Sequence, residues 1–164
     1  MAPATAGVPA PSASIGARAF HAFIAESGPL CRRAAARACV EAGWRFADGN
    51  RDGRLSLDEA EAVRAGLRAW LSWPDNGIGA AQRASVRLGL MIVEAVGLPR
   101  LMESYDANGD GALDRRELLS DVRLDERPLG QVLRDPQAVD WGRVRTRLGA
   151  LAPALGALGA PTAE

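Results

Sequence analysis

Two twelve-residue segments of the chain repeat one pattern of acidic, amide and glycine residues. Residues 48–59 and 106–117 both fit D-x-N-x-D-G-x5-E without a gap. With ordinary residue frequencies, two independent matches to such a pattern in one short chain are very improbable by chance. The repeat therefore constrains the fold more than any other feature, because both segments must adopt the same local shape.

The spacing suits Ca²⁺, a hard cation that takes about six to eight oxygen ligands. Side chains at positions 1, 3 and 5 point alternately at one centre, position 7 offers its carbonyl, position 9 binds directly or through water, and a Glu at position 12 closes the site. Position 6 must turn sharply with a positive φ, and it is Gly53 in one segment and Gly111 in the other.

Each segment supplies one complete ligand set. In the first, the expected ligands are Asp48, Asn50, Asp52, the backbone carbonyl of Arg54, Ser56 and Glu59. In the second, they are Asp106, Asn108, Asp110, the backbone carbonyl of Ala112, Asp114 and Glu117. The second set carries one more carboxylate, and the first also contains Arg51 and Arg54. Because affinity rises with ligand charge, we predict tighter binding at the second segment.

With these motifs and their flanks, the chain resembles the EF-hand superfamily, in its bacterial two-hand type. Helical patterns carrying Trp44 and Met102 precede the segments, and further helices start near each closing Glu. The resemblance covers about residues 33–72 and 99–124 and implies that a paired EF-hand domain binds two Ca²⁺ ions. It also implies that the loops meet at position 8, where Leu55 and Leu113 stand, in a short antiparallel bridge.

Apolar residues recur three and four apart between the ends of the chain, which predicts an all-α fold. We expect a paired EF-hand domain at residues 15–148, with an inserted helix between the hands and extra N- and C-terminal helices. Residues 1–14 are expected to be a disordered tail and residues 149–164 a mobile one, because both are rich in small residues.

Helix boundaries follow from capping and breaking residues. The predicted helices are Ile15–Ala25, ended by Ser27-Gly28-Pro29, then Arg33–Ala47, Leu57–Leu71, Ala80–Val96, Pro99–Tyr105, Asp114–Leu124, and Pro136–Leu148 with Asp135 as N-cap. The fourth of these is apolar on nearly all sides in its second half, which favours a core helix over a partner-binding or dimer face.

The two cysteines, Cys31 and Cys39, leave a disulfide and two buried thiols as alternatives. On one continuous helix they would be roughly 12 Å apart, beyond the limit of about 7 Å between bridged Cα atoms. A bridge therefore requires Cys31 to lie in the loop or first turn that Ser27-Gly28-Pro29 opens. Only a bridge would favour an oxidising compartment.

Composition excludes several classes of protein. Lys+Arg and Asp+Glu are 20 each, so no nucleic-acid binding through bulk charge is expected. The longest apolar run, 88–93, is too short for a transmembrane segment. The N-terminal residues have neither a basic region nor an apolar core, so no signal peptide is predicted. The compartment stays open between the cytoplasm and, after signal removal, the periplasm or exterior.

Catalysis is not expected. His21 is the sole histidine, which excludes a His-rich zinc site, and no Lys is present for a Walker-type phosphate loop. We predict a calcium buffer or metal-braced interaction module. The alternative is a sensor that engages a protein partner through the 80–96 or 136–148 helix, and a homodimer is also possible. The ligand sets would admit Mg²⁺ or a lanthanide as well.

Overall fold

The computed structural model describes residues 14–158, and most of them are helical. The helices are α1 Ala17–Arg33, α2 Ala36–Ala47, α3 Leu57–Leu71, α4 Ala80–Val96, α5 Leu98–Tyr105, α6 Arg115–Leu118, α7 Leu129–Val132 and α8 Trp141–Leu148, and a 3₁₀ helix follows at Gly149–Leu158. Two short strands, β1 Leu55–Ser56 and β2 Ala112–Leu113, complete the described elements. The predicted all-α class is confirmed, and α3 and α4 have the predicted bounds.

An aromatic core holds the first three helices together. Phe20 of α1 and Trp70 of α3 are buried, and their rings lie 5.7 Å apart. Phe23 stacks on Phe46 at 4.1 Å, which joins α1 to α2. The indole N–H of Trp70 donates to Nδ1 of His21 at 3.2 Å. The lone histidine is therefore a packing residue between α1 and α3.

Helix α1 runs past its predicted end. It continues to Arg33 with Pro29 inside it, so the prediction of a break at Ser27-Gly28-Pro29 is wrong. The hydroxyl of Ser27 donates to the Phe23 carbonyl at 2.6 Å, and α1 packs along both α2 and α3. This tertiary packing outweighs the local cost of a proline in the helix.

The chain breaks between Cys31 and Cys39, after the end of α1, and this break permits a disulfide. Cys31 lies in the last turn of α1 and Cys39 in the first turns of α2, and they are bonded with Cα atoms 4.7 Å apart. The turn at residues 34–35 folds α2 back against α1. The required separation of the cysteines onto two elements is thus met at a different place from the predicted one.

Helix α4 packs against the aromatic core on one side and is exposed on the other. Ile92 is buried, whereas Met91 is 62% exposed. The helix contacts α3, α5 and the 3₁₀ helix. The prediction of a core helix therefore holds for the side that carries Val86 and Leu90 and fails for the side of Met91, because the neighbouring elements cover only part of the apolar surface. Arg83 fixes its start by donating to the Leu71 carbonyl at 2.8 Å.

The C-terminal third departs most from the predicted helices. Helix α6 ends at Leu118 instead of Leu124, and the short α7 was not predicted. The last predicted helix starts late, because Asp140 caps α8 through the Arg143 N–H. Asp135 does not cap a helix; its side chain accepts from the Gln137 N–H at 2.9 Å, as in a turn.

A second core forms in this third. It consists of the buried residues Ala36, Val132 and Ala138, with half-buried apolar neighbours that include Val122. Val122 also forms an isolated antiparallel bridge with Val139. These contacts join the start of α2 to α7 and position the segment that follows the second acidic loop.

The predicted tails lie largely at the edge of the described chain. Residues 1–13 and 159–164 are outside the described residues. Gly149–Leu158 forms a 3₁₀ helix that contacts α4 and α8, so the mobility of residues 149–164 stays a prediction. Among residues 14–158, no helix has the length and apolar character needed to cross a bilayer.

Candidate metal centre

The two acidic loops meet in a short antiparallel bridge. Leu55 pairs with Leu113, and Ser56 pairs with Ala112. Leu113 is 2% exposed, so its side chain enters the core as the position-8 residue of its loop. The predicted bridge is confirmed in register, and it joins the loops although α4 is inserted between the hands.

The first loop curls around the carboxylate of Asp48. Asp48 is buried, and its Oδ1 accepts from the Asp52 N–H at 3.1 Å while its Oδ2 accepts from the Gly53 N–H at 2.9 Å. The side-chain oxygen of Asn50 also accepts from the Asp52 N–H, at 2.9 Å. Positions 1 and 3 thereby direct their oxygens into the loop.

Glu59 closes the first loop from its other end. It is 2% exposed, and its Oε1 accepts from the Asn50 N–H at 3.2 Å. Its Oε2 accepts from the Ser56 N–H at 3.0 Å, while the Ser56 hydroxyl accepts from the Glu59 N–H at 3.3 Å. This reciprocal pair is a capping box for α3. The S-x-x-E spacing signals it, and the sequence interpretation overlooked it.

The second loop repeats this arrangement. Asp106 accepts from the Gly109 and Gly111 N–H groups, both at 2.8 Å. Glu117, also buried, accepts from the Asn108 N–H at 3.2 Å and from the Asp114 N–H at 2.9 Å. Asp114 and Glu117 form the matching capping box of α6. The first and last predicted ligands therefore converge on the loop interior in both hands.

The backbones of the two loops turn at the same positions. At position 6, Gly53 has φ 80° and Gly111 has φ 83°. At position 4, Arg51 has φ 61° and Gly109 has φ 71°. A positive φ is uncommon for a residue with a Cβ, and Arg51 is the non-glycine example in the described chain. Nothing in the sequence signals this strain at Arg51.

The residues present fit a calcium ion. Each loop offers carboxylate, amide and carbonyl oxygens, a donor set suited to Ca²⁺. Within residues 14–158, no three acidic, histidine or cysteine side chains are gathered around a common point. The carboxylates of Asp48, Asp106 and Glu117 are instead turned to backbone N–H groups of their own loops. These bonds hold the oxygens inside the loops, where a cation would meet them.

Arginine side chains lie close to two carboxylates of the second loop. The pKa of the Asp114 carboxyl is lowered, mainly because the backbone N–H of Glu117 donates a hydrogen bond to it. The positive charges of Arg116 and Arg54 lower this pKa further. Arg54, from the first loop, also forms an ion pair with the Asp110 carboxylate. Asp110 is the predicted position-5 ligand of the second loop. Sequence spacing could not reveal this pair, because the bridge between the strands creates it.

Removing the charge of Arg54 is expected to strengthen calcium binding at the second loop. In Arg54→Gln, the Asp110 carboxylate no longer shares its charge with a guanidinium, and exposed pairs of this kind are worth about two- to fivefold in affinity. Arg51→Gln, which removes the same charge from the same loop, is the matched control. Calorimetric titration measures both. Equal effects of the two substitutions at the second loop would contradict a specific role for the pair.

A helix–loop–helix pair joined through its loops, each loop lined with oxygen donors, defines a class of helical cation-binding proteins. Residues 45–61 and 101–122 match the family model described as EF hand. These matches support membership of the EF-hand superfamily and calcium binding for the two segments. No curated protein and no solved structure matches the chain.

Proposed function

We propose that this protein binds two Ca²⁺ ions, one in each loop, and acts as a calcium buffer or metal-braced interaction module. The observation that carries the proposal is the register of the bridge, Leu55 opposite Leu113, which sets two loops of equal backbone shape side by side. The proposed ligands are the two sets given by the repeat. The resemblance to the bacterial two-hand type is part of the proposal.

A bracing role follows from the charge of the loops. Each loop carries three or four proposed carboxylate ligands within twelve residues, and their mutual repulsion loosens the loop when no metal is bound. An ion that binds the folded loop and not the unfolded chain stabilises the fold by mass action. The second loop, with one more carboxylate, is proposed to bind more tightly, although the Arg54–Asp110 pair opposes this ordering.

A sensor is the second candidate, and the exposure of Met91 favours it. Met91 is 62% exposed on α4, and adaptable methionine side chains suit contacts with a protein partner or a second copy of the chain. The other helix considered for this role shortens to α8, Trp141–Leu148. A sensor should change shape or bind an apolar dye when calcium is added, whereas a buffer should do neither.

Calorimetry with stoichiometry and thermal unfolding test the proposal together. We expect two ions per chain and a midpoint that rises with calcium, since a ligand at a hundredfold its Kd contributes about 2.7 kcal/mol. Competition with Mg²⁺ and a lanthanide measures selectivity. The proposal fails if neither millimolar calcium nor a chelator moves the midpoint. X-ray scattering with and without calcium then separates buffer from sensor.

A further inference from the structure

Arg147 of α8 forms a forked ion pair with a buried carboxylate beyond the second loop. Its Nε donates to Oδ2 of Asp121 at 2.7 Å, and its Nη2 donates to Oδ1 at 3.2 Å. Asp121 is 3% exposed. A buried carboxylate is costly unless a cation pairs with it, so this contact fixes the position of Arg147 strongly.

The same guanidinium also holds the helix that leads into the loop. Its Nη1 donates to the carbonyl of Ser104, and its plane lies over the ring of Tyr105, 3.7 Å from the centroid. One side chain from α8 therefore touches the end of α5 and the turn after α6.

These contacts lie at the two ends of the second loop. Tyr105 immediately precedes Asp106, the proposed first ligand, and Asp121 follows the closing Glu117 by about one helical turn. A cation needs the first and last ligands together. Any contact that fixes the distance between the ends of the loop reduces the conformational freedom lost on binding.

We propose that Arg147 is a positioning residue for the second calcium loop, because it ties the end of α5 to the segment after α6. The inference rests on the proposed function. The arrangement keeps Asp106 and Glu117 in register before metal arrives, and it makes the calcium affinity of this loop depend on the docking of α8. Arg147 itself contacts no proposed ligand in the described contacts.

The first test measures hydrogen exchange in the whole chain with a chelator present. In Arg147→Leu, exchange of the Gly109, Asp110 and Gly111 amides is expected to be about tenfold faster, because the loop ends separate more often. The equivalent amides of the first loop should keep their rates. Arg143→Leu is the matched control, since Arg143 lies one turn earlier on α8 and pairs with Asp140, the exposed N-cap of the same helix.

The second test measures calcium affinity in a Glu59→Gln background, which isolates the second loop. Arg147→Leu should weaken binding about tenfold, and Arg147→Lys, which keeps the charge without the fork, should recover part of it. If the Leu variant does not fold, the Lys variant is measured alone in both tests. Its amide hydrogen exchange is then expected to be faster at the second loop only, by a smaller factor than in the Leu variant.

Two results overturn the role of Arg147. One is exchange that is unchanged at the second loop, and the other is an equal acceleration in both loops, which would indicate general destabilisation. The exchange test is done without metal, so its outcome does not depend on whether the loops bind calcium. Absence of calcium binding in the Glu59→Gln background would overturn the proposed function at this loop and leave the exchange result intact.

Discussion

Glu117→Gln is expected to weaken calcium binding at the second loop by about a hundredfold, and Glu59→Gln to do the same at the first. Each substitution removes the bidentate carboxylate that closes the site. The glutamine keeps one oxygen for the N–H groups that Glu117 and Glu59 now accept from, so the loops should stay folded. Its amide nitrogen cannot accept a bond, so one of the N–H groups that the two carboxylate oxygens serve loses its partner, which costs about 1 kcal/mol.

Calorimetry of the two variants also tests the order of the sites. If the second loop binds more tightly, Glu117→Gln loses the tighter of the two events and Glu59→Gln loses the weaker one. Glu126→Gln is the control, because Glu126 is exposed and lies outside both loops. The ordering would be wrong if Glu59→Gln removed the tighter event. Unchanged titrations in both variants would contradict the proposed ligand sets themselves.

Local sequence rules predicted the parts of the fold that local interactions determine. The closing Glu59 of the first loop predicts the start of α3, and α4 ends at Gly97, which has φ 88°. Both signals lie within a few residues of the boundary they set. The pairing of Leu55 with Leu113 is a long-range contact, yet the resemblance predicted it because the repeat fixes the register of each loop.

Interactions between distant elements account for the wrong predictions. Pro29 breaks no helix, because α1 is supported along its length by α2 and α3. Met91 looked like a core residue from its neighbours in sequence, but no described element covers it enough to bury it. Asp135 has the form of an N-cap, and Asp140 takes that role, since Asp135 pairs with Arg127 at 2.8 Å.

Two long-range contacts at or near the candidate site could not be predicted from the sequence either. Arg54 acts on the other loop, and Arg147 reaches the second loop from α8. The sequence assigns the charge of Arg54 to its own loop and that of Arg147 to a solvated helix face, since spacing alone does not say which carboxylate a long side chain meets. The ligand positions, in contrast, were predictable because the motif encodes its own local turns.

Loss of the Cys31–Cys39 bridge is expected to destabilise the fold by about 2–3 kcal/mol, the loop-closure entropy of so short a loop. The bridge joins the last turn of α1 to α2, and α2 runs directly into Asp48. The double substitution Cys31→Ala, Cys39→Ala should therefore lower the thermal midpoint by about 5–10 °C for a chain of this size.

A reductant supplies the control for this prediction. It should lower the midpoint of the parent protein to that of the double variant and leave the double variant unchanged; equal parent midpoints with and without reductant would contradict a stabilising bridge. Because the bridge lies outside both loops, the calcium stoichiometry should be the same in parent and variant when both are folded. Reduction would then weaken the support of the first hand and leave its ligands intact, which distinguishes a scaffold effect from a ligand effect.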